Sequence, residues 1–293
     1  MKPALVIMAA GLGSRYGGLK QIDPIGPNGE ILIEFAIQDM ISFGGEKIIC
    51  IISESTRDDF ETMIVKKYKQ KIHIQLVVQS CENMLGEKNP ERIKPWWTGH
   101  AIWCAREAIS GPFIVINADD FYGRDALFEA YDFLMRNQEP RKHCIVTCPL
   151  SKMLSAYGTV SRWICSTAKN KLITIVEHTK VGRKTDGNIV HTCQDGTEVL
   201  LTEDAPANMN LFWFQKDFIG ILDREMQTFF EEYHNELTRE FFLPSVVMNM
   251  IQNQEWEVFV LPSTSEWFGM TNKEDRAEAV QKIQNYLKKH PSI

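Results

Sequence analysis

Two short stretches carry residue types that together handle phosphate chemistry. The first is Met8-Ala9-Ala10-Gly11-Leu12-Gly13-Ser14-Arg15-Tyr16-Gly17-Gly18-Leu19-Lys20, which follows an apolar run directly. Glycines let a backbone approach a ligand closely, and consecutive N–H groups can line a concavity for phosphate oxygens. Arg15 and Lys20 add the full charges that a chain of formal net charge −6 must concentrate locally to hold a triphosphate. The second stretch is Val115-Ile116-Asn117-Ala118-Asp119-Asp120-Phe121-Tyr122-Gly123. Acids placed right after an apolar parallel strand lie at the carboxyl edge of a sheet, where open α/β folds bind ligands. A hard cation such as Mg²⁺ takes carboxylate and phosphate oxygens there.

Residue chemistry alone leaves other readings of the loop open. A dinucleotide fingerprint needs Gly-x-Gly-x-x-Gly; its third glycine position is Tyr16, although Glu54 could serve as the ribose-binding acid. A P-loop needs Gly-Lys-Ser/Thr opening a helix, whereas Lys20 is followed by Gln21. A ligand-free glycine turn is the plainest alternative, and two cations inside such a turn have little structural purpose. For the acids, the plain alternative is Asp120 capping a turn with Asp119 solvated.

Ala9-Ala10-Gly11-Leu12-Gly13-Ser14-Arg15, with Lys20-Gln21 five positions on, resembles the signature loop of the sugar-phosphate nucleotidyltransferases (nucleoside-diphosphate-sugar pyrophosphorylases). The resemblance implies a loop that wraps a triphosphate through Ala10, Gly11, Gly13 and Ser14. Arg15 and Lys20 would neutralise the leaving pyrophosphate and the attacking phosphate. Gln79 and the Trp97-Thr98-Gly99-His100-Ala101 segment resemble the family's base-reading glutamine and the strip beneath base and ribose. This implies nucleotide contacts at Gln79, Thr98 and Gly99, where an amide pairs with a base edge and Gly99 leaves room for a flat ring. His100 is expected to have no catalytic duty. Trp96 and Trp97 either close over the base or pack in the core.

Asp119 matches the family's metal-holding aspartate, which implies Mg²⁺ at Asp119, with Asp120 as a further ligand. Ala156-Tyr157-Gly158-Thr159-Val160, Ile175-Val176-Glu177-His178 and Asn208-Met209-Asn210-Leu211-Phe212 resemble the segments that hold the sugar. Acceptor contacts are therefore implied at Gly158, Glu177 and Asn208, with Lys180 replacing the lysine usual at position 178. The clearest departure is Gly269, where many relatives carry a second metal-binding aspartate. Met270-Thr271-x-x-Glu274-Asp275 instead resembles the ending of small-alcohol-phosphate cytidylyltransferases.

The implied activity is transfer of a nucleoside monophosphate from a nucleoside triphosphate to a phosphorylated small-molecule acceptor, a sugar 1-phosphate, with release of pyrophosphate. Alternatives are cytidylyl transfer to a small alcohol phosphate or phosphonate, a non-catalytic nucleotide-binding regulatory relative, and an NAD-binding Rossmann oxidoreductase, against which Tyr16 stands.

These residues need a scaffold, and the rest of the chain supplies its pattern. At 293 residues, 44% apolar and 24% charged, it can bury a large core. Its net acidity gives no bulk attraction to nucleic acid or an anionic membrane. Seven scattered cysteines form no Cys-x-x-Cys pair, and the apolar start is too short for a signal segment. The expectation is a cytoplasmic protein with no nucleic-acid or membrane partner and with homo-oligomerisation left open.

Apolar runs at 5–8, 47–52, 72–78, 113–116 and 144–148 alternate with amphipathic stretches at 31–42, 57–69, 100–109 and 124–136. Repeated β-α-β with near-continuous apolar strands predicts a parallel sheet covered on both faces. Beyond residue 150, antiparallel strands at 159–165, 172–177 and 198–201 precede a strand at 210–214. Helices at 218–234, 242–253 and 273–289 and a strand at 256–260 complete the pattern. The expected fold is Rossmann-like three-layer α/β, with a mainly parallel mixed sheet and a small antiparallel substrate-side elaboration. One domain would span 1–293, residues 1–150 holding the nucleotide and 151–293 the acceptor.

Overall fold

The computed structural model describes residues 1–11, 23–82, 86–155, 158–253, 256–270 and 275–289. Strand β1 (Ala4–Met8) is followed by helix α1 (Leu32–Ser42), then strand β2 (Lys47–Ile52). A helical stretch comprises α2 (Arg57–Phe60), a π-turn (Glu61–Val65) and α3 (Lys66–Tyr68), and leads to β3 (His73–Val78). Helix α4 (Trp97–Cys104), β4 (Phe113–Asn117), the short β5 (Asp120–Phe121), α5 (Arg124–Arg136) and β6 (Lys142–Pro149) follow. Next come β7 (Val160–Ala168), β8 (Lys171–Arg183), β9 (Ile189–Thr192), β10 (Glu198–Leu201), β11 (Pro206–Asn208) and β12 (Phe212–Phe214). Helices α6 (Phe218–Tyr233) and α7 (Leu243–Gln252), strands β13 (Glu257–Pro262) and β14 (Phe268–Gly269), and helix α8 (Asp275–Lys289) complete the described elements.

Among the described residues one mixed sheet runs in the order β10-β9-β8-β7-β11-β6-β12-β4-β1-β2-β3, with β13 beside β6 and β8. The β3-β2-β1-β4 portion is parallel, and its registers place Met8 beside both Ile51 and Asn117, and Ile52 beside Val78. Four carboxyl ends therefore meet at one edge. One core layer gathers Ile37 and Met40 of α1, Phe60 and Ile64 of the helical stretch, and Leu127 and Leu134 of α5 against one face. The other gathers Ile102 of α4, Leu222 and Met226 of α6, and Val247 of α7. This is the three-layer α/β architecture, and the apolar strands follow from it: both faces of each central strand are covered.

A third cluster joins Phe35 of α1 to Phe121, Phe268, Met270 and, on α8, Ile283 and Tyr286. Phe121 stacks on Phe268 at 4.9 Å, and Tyr286 meets Phe121 edge-on at the same distance. The C-terminal helix thereby clamps the β5–β14 ribbon that carries Asp120 and Gly269.

Several boundaries differ from the sequence expectation. The strand expected over 210–214 is shortened to β12, and an unexpected strand, β11, precedes it; both lie along the same edge of β6 and are separated by a bulge at 208–211. On their other side β11 pairs β7 while β12 pairs β4, so the sheet forks at the bulge. Pro206 opens β11, and prolines are confined to strand starts and edges, which hides such a strand from a reading of the residues. Strand β8 is 13 residues long, and the four-residue β9 pairs with its far end. Helix α4 starts at Trp97, not His100, and ends at Cys104, with a separate 3₁₀ turn at Arg106–Ala108. All seven cysteines are free thiols. Among the described residues no helix is long and apolar enough to cross a membrane.

Candidate active site

The parallel strands deliver the expected stations to one edge. Ala9, Ala10 and Gly11 follow β1, Gln79 follows β3, and Ala118 and Asp119 follow β4. Backbone bonds hold these exits: Ala9 N–H donates to the Ile51 carbonyl at 2.7 Å, Gln79 N–H to Ile52 at 2.9 Å and Ala118 N–H to Met8 at 3.0 Å. Strands β1 and β4 are neighbours, so the glycine-rich exit and the aspartate turn stand one strand apart, about 5 Å. Gln79 lies three strands from the aspartates, roughly 14 Å across the edge. Gly13, Ser14, Arg15 and Lys20 lie outside the described residues.

At the β3 end of this edge, the Gln79 amide nitrogen donates to the Trp97 carbonyl at 2.9 Å and to His100 Nδ1 at 3.1 Å. A Gln amide nitrogen only donates, so Nδ1 must accept and the imidazole proton sits on Nε2, 3.5 Å from Cys104 Sγ. His100 is fully buried, and burial, with the charges of Arg92 and Arg106 adding to it, pushes its pKa down to about 3. It is a neutral orienter of Gln79, which leaves Gln79 Oε1 as the presented group.

The expected role of Gly99 needs correcting. A Cβ there would lie 2.7 Å from the Phe241 ring, so the space is filled by Phe241 rather than left open for a base. Gly99 N–H donates to the Phe241 carbonyl at 2.9 Å, and Thr98 Oγ1 accepts the Leu243 N–H at 3.0 Å. Thr98 and Gly99 thus pin the segment leading into α7 against α4. The two tryptophans divide: Trp96 is core, and Trp97, with φ 74°, is 51% exposed beside Phe242.

Asp119 is half-buried in the turn after β4, and its carbonyl accepts the Met270 N–H at 2.9 Å. Asp120 is buried, its Oδ2 accepting from Asn117 Nδ2 at 2.6 Å, with the Tyr122 hydroxyl oxygen 3.4 Å away. Asp120 also pairs in strand register with Gly269. Facing it is a cation that no motif announced. Arg162 on β7 is buried, donates to the Met153 and Ser161 carbonyls, and lies 4.8 Å over the Trp267 ring. Burial lowers its pKa to about 10, and the charge of Asp120 pulls the other way. Only its arginine type, in an otherwise apolar alternation, marked it in the sequence.

The bulge between β11 and β12 forms the next wall. Asn208 is wholly buried; its Nδ2 donates to the Val146 and Leu211 carbonyls, and its Oδ1 accepts the Asn210 N–H. All of these partners are backbone groups, so Asn208 sets the shape of this bulge. Asn210 Nδ2 then donates to Asn117 Oδ1 at 3.3 Å, and the Tyr122 hydroxyl donates to the Met209 carbonyl at 2.7 Å. Asn117, Asp120, Tyr122, Asn208 and Asn210 make one polar network that locks the aspartate turn to the fork in the sheet.

Across the fork, Trp163 pairs in register with both Asn208 and Glu177. Glu177 is half-buried, and burial raises its pKa. Gly158 has φ 130° with open space around it, so its backbone conformation, not crowding, calls for glycine. Lys180 is exposed on β8 with φ 49°, and His178 packs edge-on against His191 at 4.9 Å. The structure thus brings Gly11, Gln79, Asp119 and Asp120 to one edge, with Glu177 across the fork on β8.

The donor set suits a hard cation. Among the described residues no group of three or more His, Cys, Asp or Glu could hold a metal, and the two aspartates supply oxygen only. Mg²⁺ is bound in this way, through one or two carboxylates plus water and substrate phosphate.

Comparison with known proteins bears on the family and the fold. A family model described as nucleotidyl transferase matches residues 4–180. The UTP–glucose-1-phosphate uridylyltransferase of Bacillus subtilis (strain 168) is 29% identical over 128 residues, 39% of this chain; the match spans under half, 43%, of that relative. A UDP-glucose pyrophosphorylase structure from Acinetobacter baumanii superposes with a TM-score of 0.62 at 16% identity, covering 100% of this chain and 95% of that one. An apo UDP-glucose pyrophosphorylase gives 0.65 at 16% identity, covering 99% and 100%. At such identities the superpositions speak for the fold.

Proposed function

Since the chain belongs to the nucleotidyl transferase family, as the match over residues 4–180 shows, we propose that it transfers a nucleoside monophosphate from a nucleoside triphosphate to a sugar 1-phosphate, with release of pyrophosphate. The observation that carries this reading is the adjacency of β1 and β4. It sets the Gly11 exit beside Asp119, so a phosphate-wrapping backbone and a carboxylate for a cation share one ligand.

The acceptor's phosphate oxygen attacks the α-phosphorus in line and pyrophosphate leaves. That nucleophile is already ionised at neutral pH, so no general base is needed. His100 is in keeping with this: buried and neutral, it acts only on Gln79. Arg15 and Lys20 stabilise the charge that develops on the leaving and attacking groups. Asp119, with Asp120 behind it, would hold Mg²⁺, whose contribution is neutralisation of phosphate charge. Gln79 presents Oε1 to a donor on the base edge. In this reading residues 1–150 bind the triphosphate and 151–293 the acceptor, all within one domain working in the cytoplasm.

The test crosses the common triphosphates with a panel of sugar 1-phosphates and measures pyrophosphate. Release should fall by about 10²-fold or more in Lys20→Ala and in Asp119→Ala, with melting temperatures close to the parent. Nucleotide binding with no release from any pair would sink the transferase reading.

A further inference from the structure

Between β7–β8 and the α6–α7 pair lies a cavity of about 730 Å³ whose charge is one-sided. Glu177, Glu225, Glu232, Glu236 and Glu240 line it, and the cation among its lining residues is Arg239, which stacks 4.5 Å over the Tyr233 ring. Glu225 accepts a hydrogen bond from Asn249 Nδ2 at 2.7 Å. Glu177 and Glu240, both half-buried, have neither a hydrogen-bond nor an ion-pair partner among the described residues. Burial raises the pKa of each, and the Glu177 charge raises that of Glu240 further. Arg92 and Lys94 pull Glu240 the other way without pairing with it. The Arg92 guanidinium donates instead to the Lys94, Glu236 and Arg239 carbonyls. Two neighbouring carboxylates, each partly withdrawn from water and without a partner, repel one another until a countercharge arrives.

The walls between them are aromatic. Trp163 and Phe242 stand 5.7 Å apart at 62°, and Phe242 is in turn 6.4 Å from Trp97, next to Gln79. The cavity is also one strand register from the reacting end: Trp163 pairs with Asn208, which opens the bulge bonded to Asn117 and Tyr122. An acceptor whose phosphate faces Asp119 would extend its opposite end into this space.

We propose that the acceptor carries a protonated amine or quaternary ammonium group at the end remote from its phosphate, and that this group lies between Glu177 and Glu240 against Trp163 and Phe242. The inference rests on the nucleotidyl-transfer reading and names the acceptor class within it. A hydroxyl would give these carboxylates hydrogen bonds but leave two like charges facing each other. A cation supplies the countercharge, and the ring faces attract it as well. The same charge disfavours an acceptor bearing a second anion, such as a sugar acid phosphate.

The test is calorimetric titration of the whole chain, without triphosphate, with 6-amino-6-deoxyglucose 1-phosphate, phosphocholine, glucose 1-phosphate and glucuronic acid 1-phosphate. At least one of the two amine-bearing probes should bind about tenfold more tightly than glucose 1-phosphate, and the glucuronate most weakly. Glu240→Gln and Glu177→Gln should each remove most of the preference while melting no lower than the parent, because each relieves a like-charge contact. Equal binding of amine and hydroxyl probes, no binding of any probe, or a preference that survives both substitutions would overturn the proposal. Pyrophosphate release with glucose 1-phosphate and no amine preference would defeat this inference and leave the transfer reading standing. An amine preference without release from any triphosphate would do the reverse.

Discussion

Gly269 faces Asp120 so closely that a Cβ built on it would lie 2.5 Å from Asp120 Oδ1 and 3.3 Å from the Trp267 ring. The position where the family resemblance implied an acid is therefore occupied in space by the acid of the neighbouring strand. Asp120 cannot simply swing away, since its other oxygen is held by Asn117 at 2.6 Å and Arg162 faces it. Gly269→Ala should displace the Asp120 carboxylate, at a cost of about 1–3 kcal/mol in stability as in other overpacked sites. Gly269→Asp should be worse, since it adds a like charge to the overlap. Thermal melts of both variants check the order, and an alanine variant as stable as the parent would show that Asp120 has room to move.

Asn208 ties two backbone groups of the bulge and the Val146 carbonyl of β6 with one amide. Asn208→Ala leaves the Asn210 N–H without this acceptor and takes a buried donor from the Val146 and Leu211 carbonyls, the latter keeping only the Val146 N–H. Buried unpaired polar groups cost about 1–3 kcal/mol each, partly relieved by relaxation, so a loss of roughly 3 kcal/mol is expected in denaturant unfolding. Asn208→Asp should fare no better, because a carboxylate cannot donate to either carbonyl. A loss under 1 kcal/mol would mean that the fork in the sheet is held by β-pairing alone.

The parts of this fold that could be read from the residues are those governed by local pattern. Helix α5 runs over Arg124–Arg136 as its periodicity predicts, β1 ends at Met8 as expected, and β4 runs one residue past the expected 113–116, to Asn117. The bulge was hidden because Asn208-Met209-Asn210 has no period, and its shape comes from partners some 60 to 90 residues away. Strand β9 is four residues between polar turns and exists because the far half of β8 offers it an edge. The reason for Gly99 lay in Phe241, more than 140 residues distant in the chain. Of the candidate site, Gly11, Gln79 and the two aspartates follow strand ends, so their arrival at one edge was legible. Arg162, Tyr122, Glu240 and Phe242 enter through tertiary contact and have no local signature.

The bond between Gln79 and His100 makes a base-selectivity prediction. With Nδ1 accepting, the Gln79 amide is fixed with its oxygen outward. His100→Leu keeps the site apolar but removes that acceptor and frees the amide to turn over. Selectivity between triphosphates should fall by about fivefold, the worth of one hydrogen bond, while turnover with the best triphosphate changes less. Unchanged selectivity ratios in steady-state kinetics would mean that the Trp97 carbonyl alone orients Gln79.

The same histidine, with His143, sets an acid limit on stability. Both are buried, and desolvation takes each from an ordinary value of 6.5 down to about 3. The folded chain thus binds fewer protons than the unfolded chain between those values. The stabilisation is complete above pH 6.5 and is lost as pH falls through 6 and 5 toward 3, at up to about 1.4 kcal/mol per pH unit for each group. Carboxylates titrate in the same range but contribute alike to parent and variant. Melting curves of the parent and of His100→Gln/His143→Gln should therefore converge on acidification from pH 7 to 5, whatever their separation at neutrality. Parallel curves across that interval would place the histidines' proton uptake elsewhere.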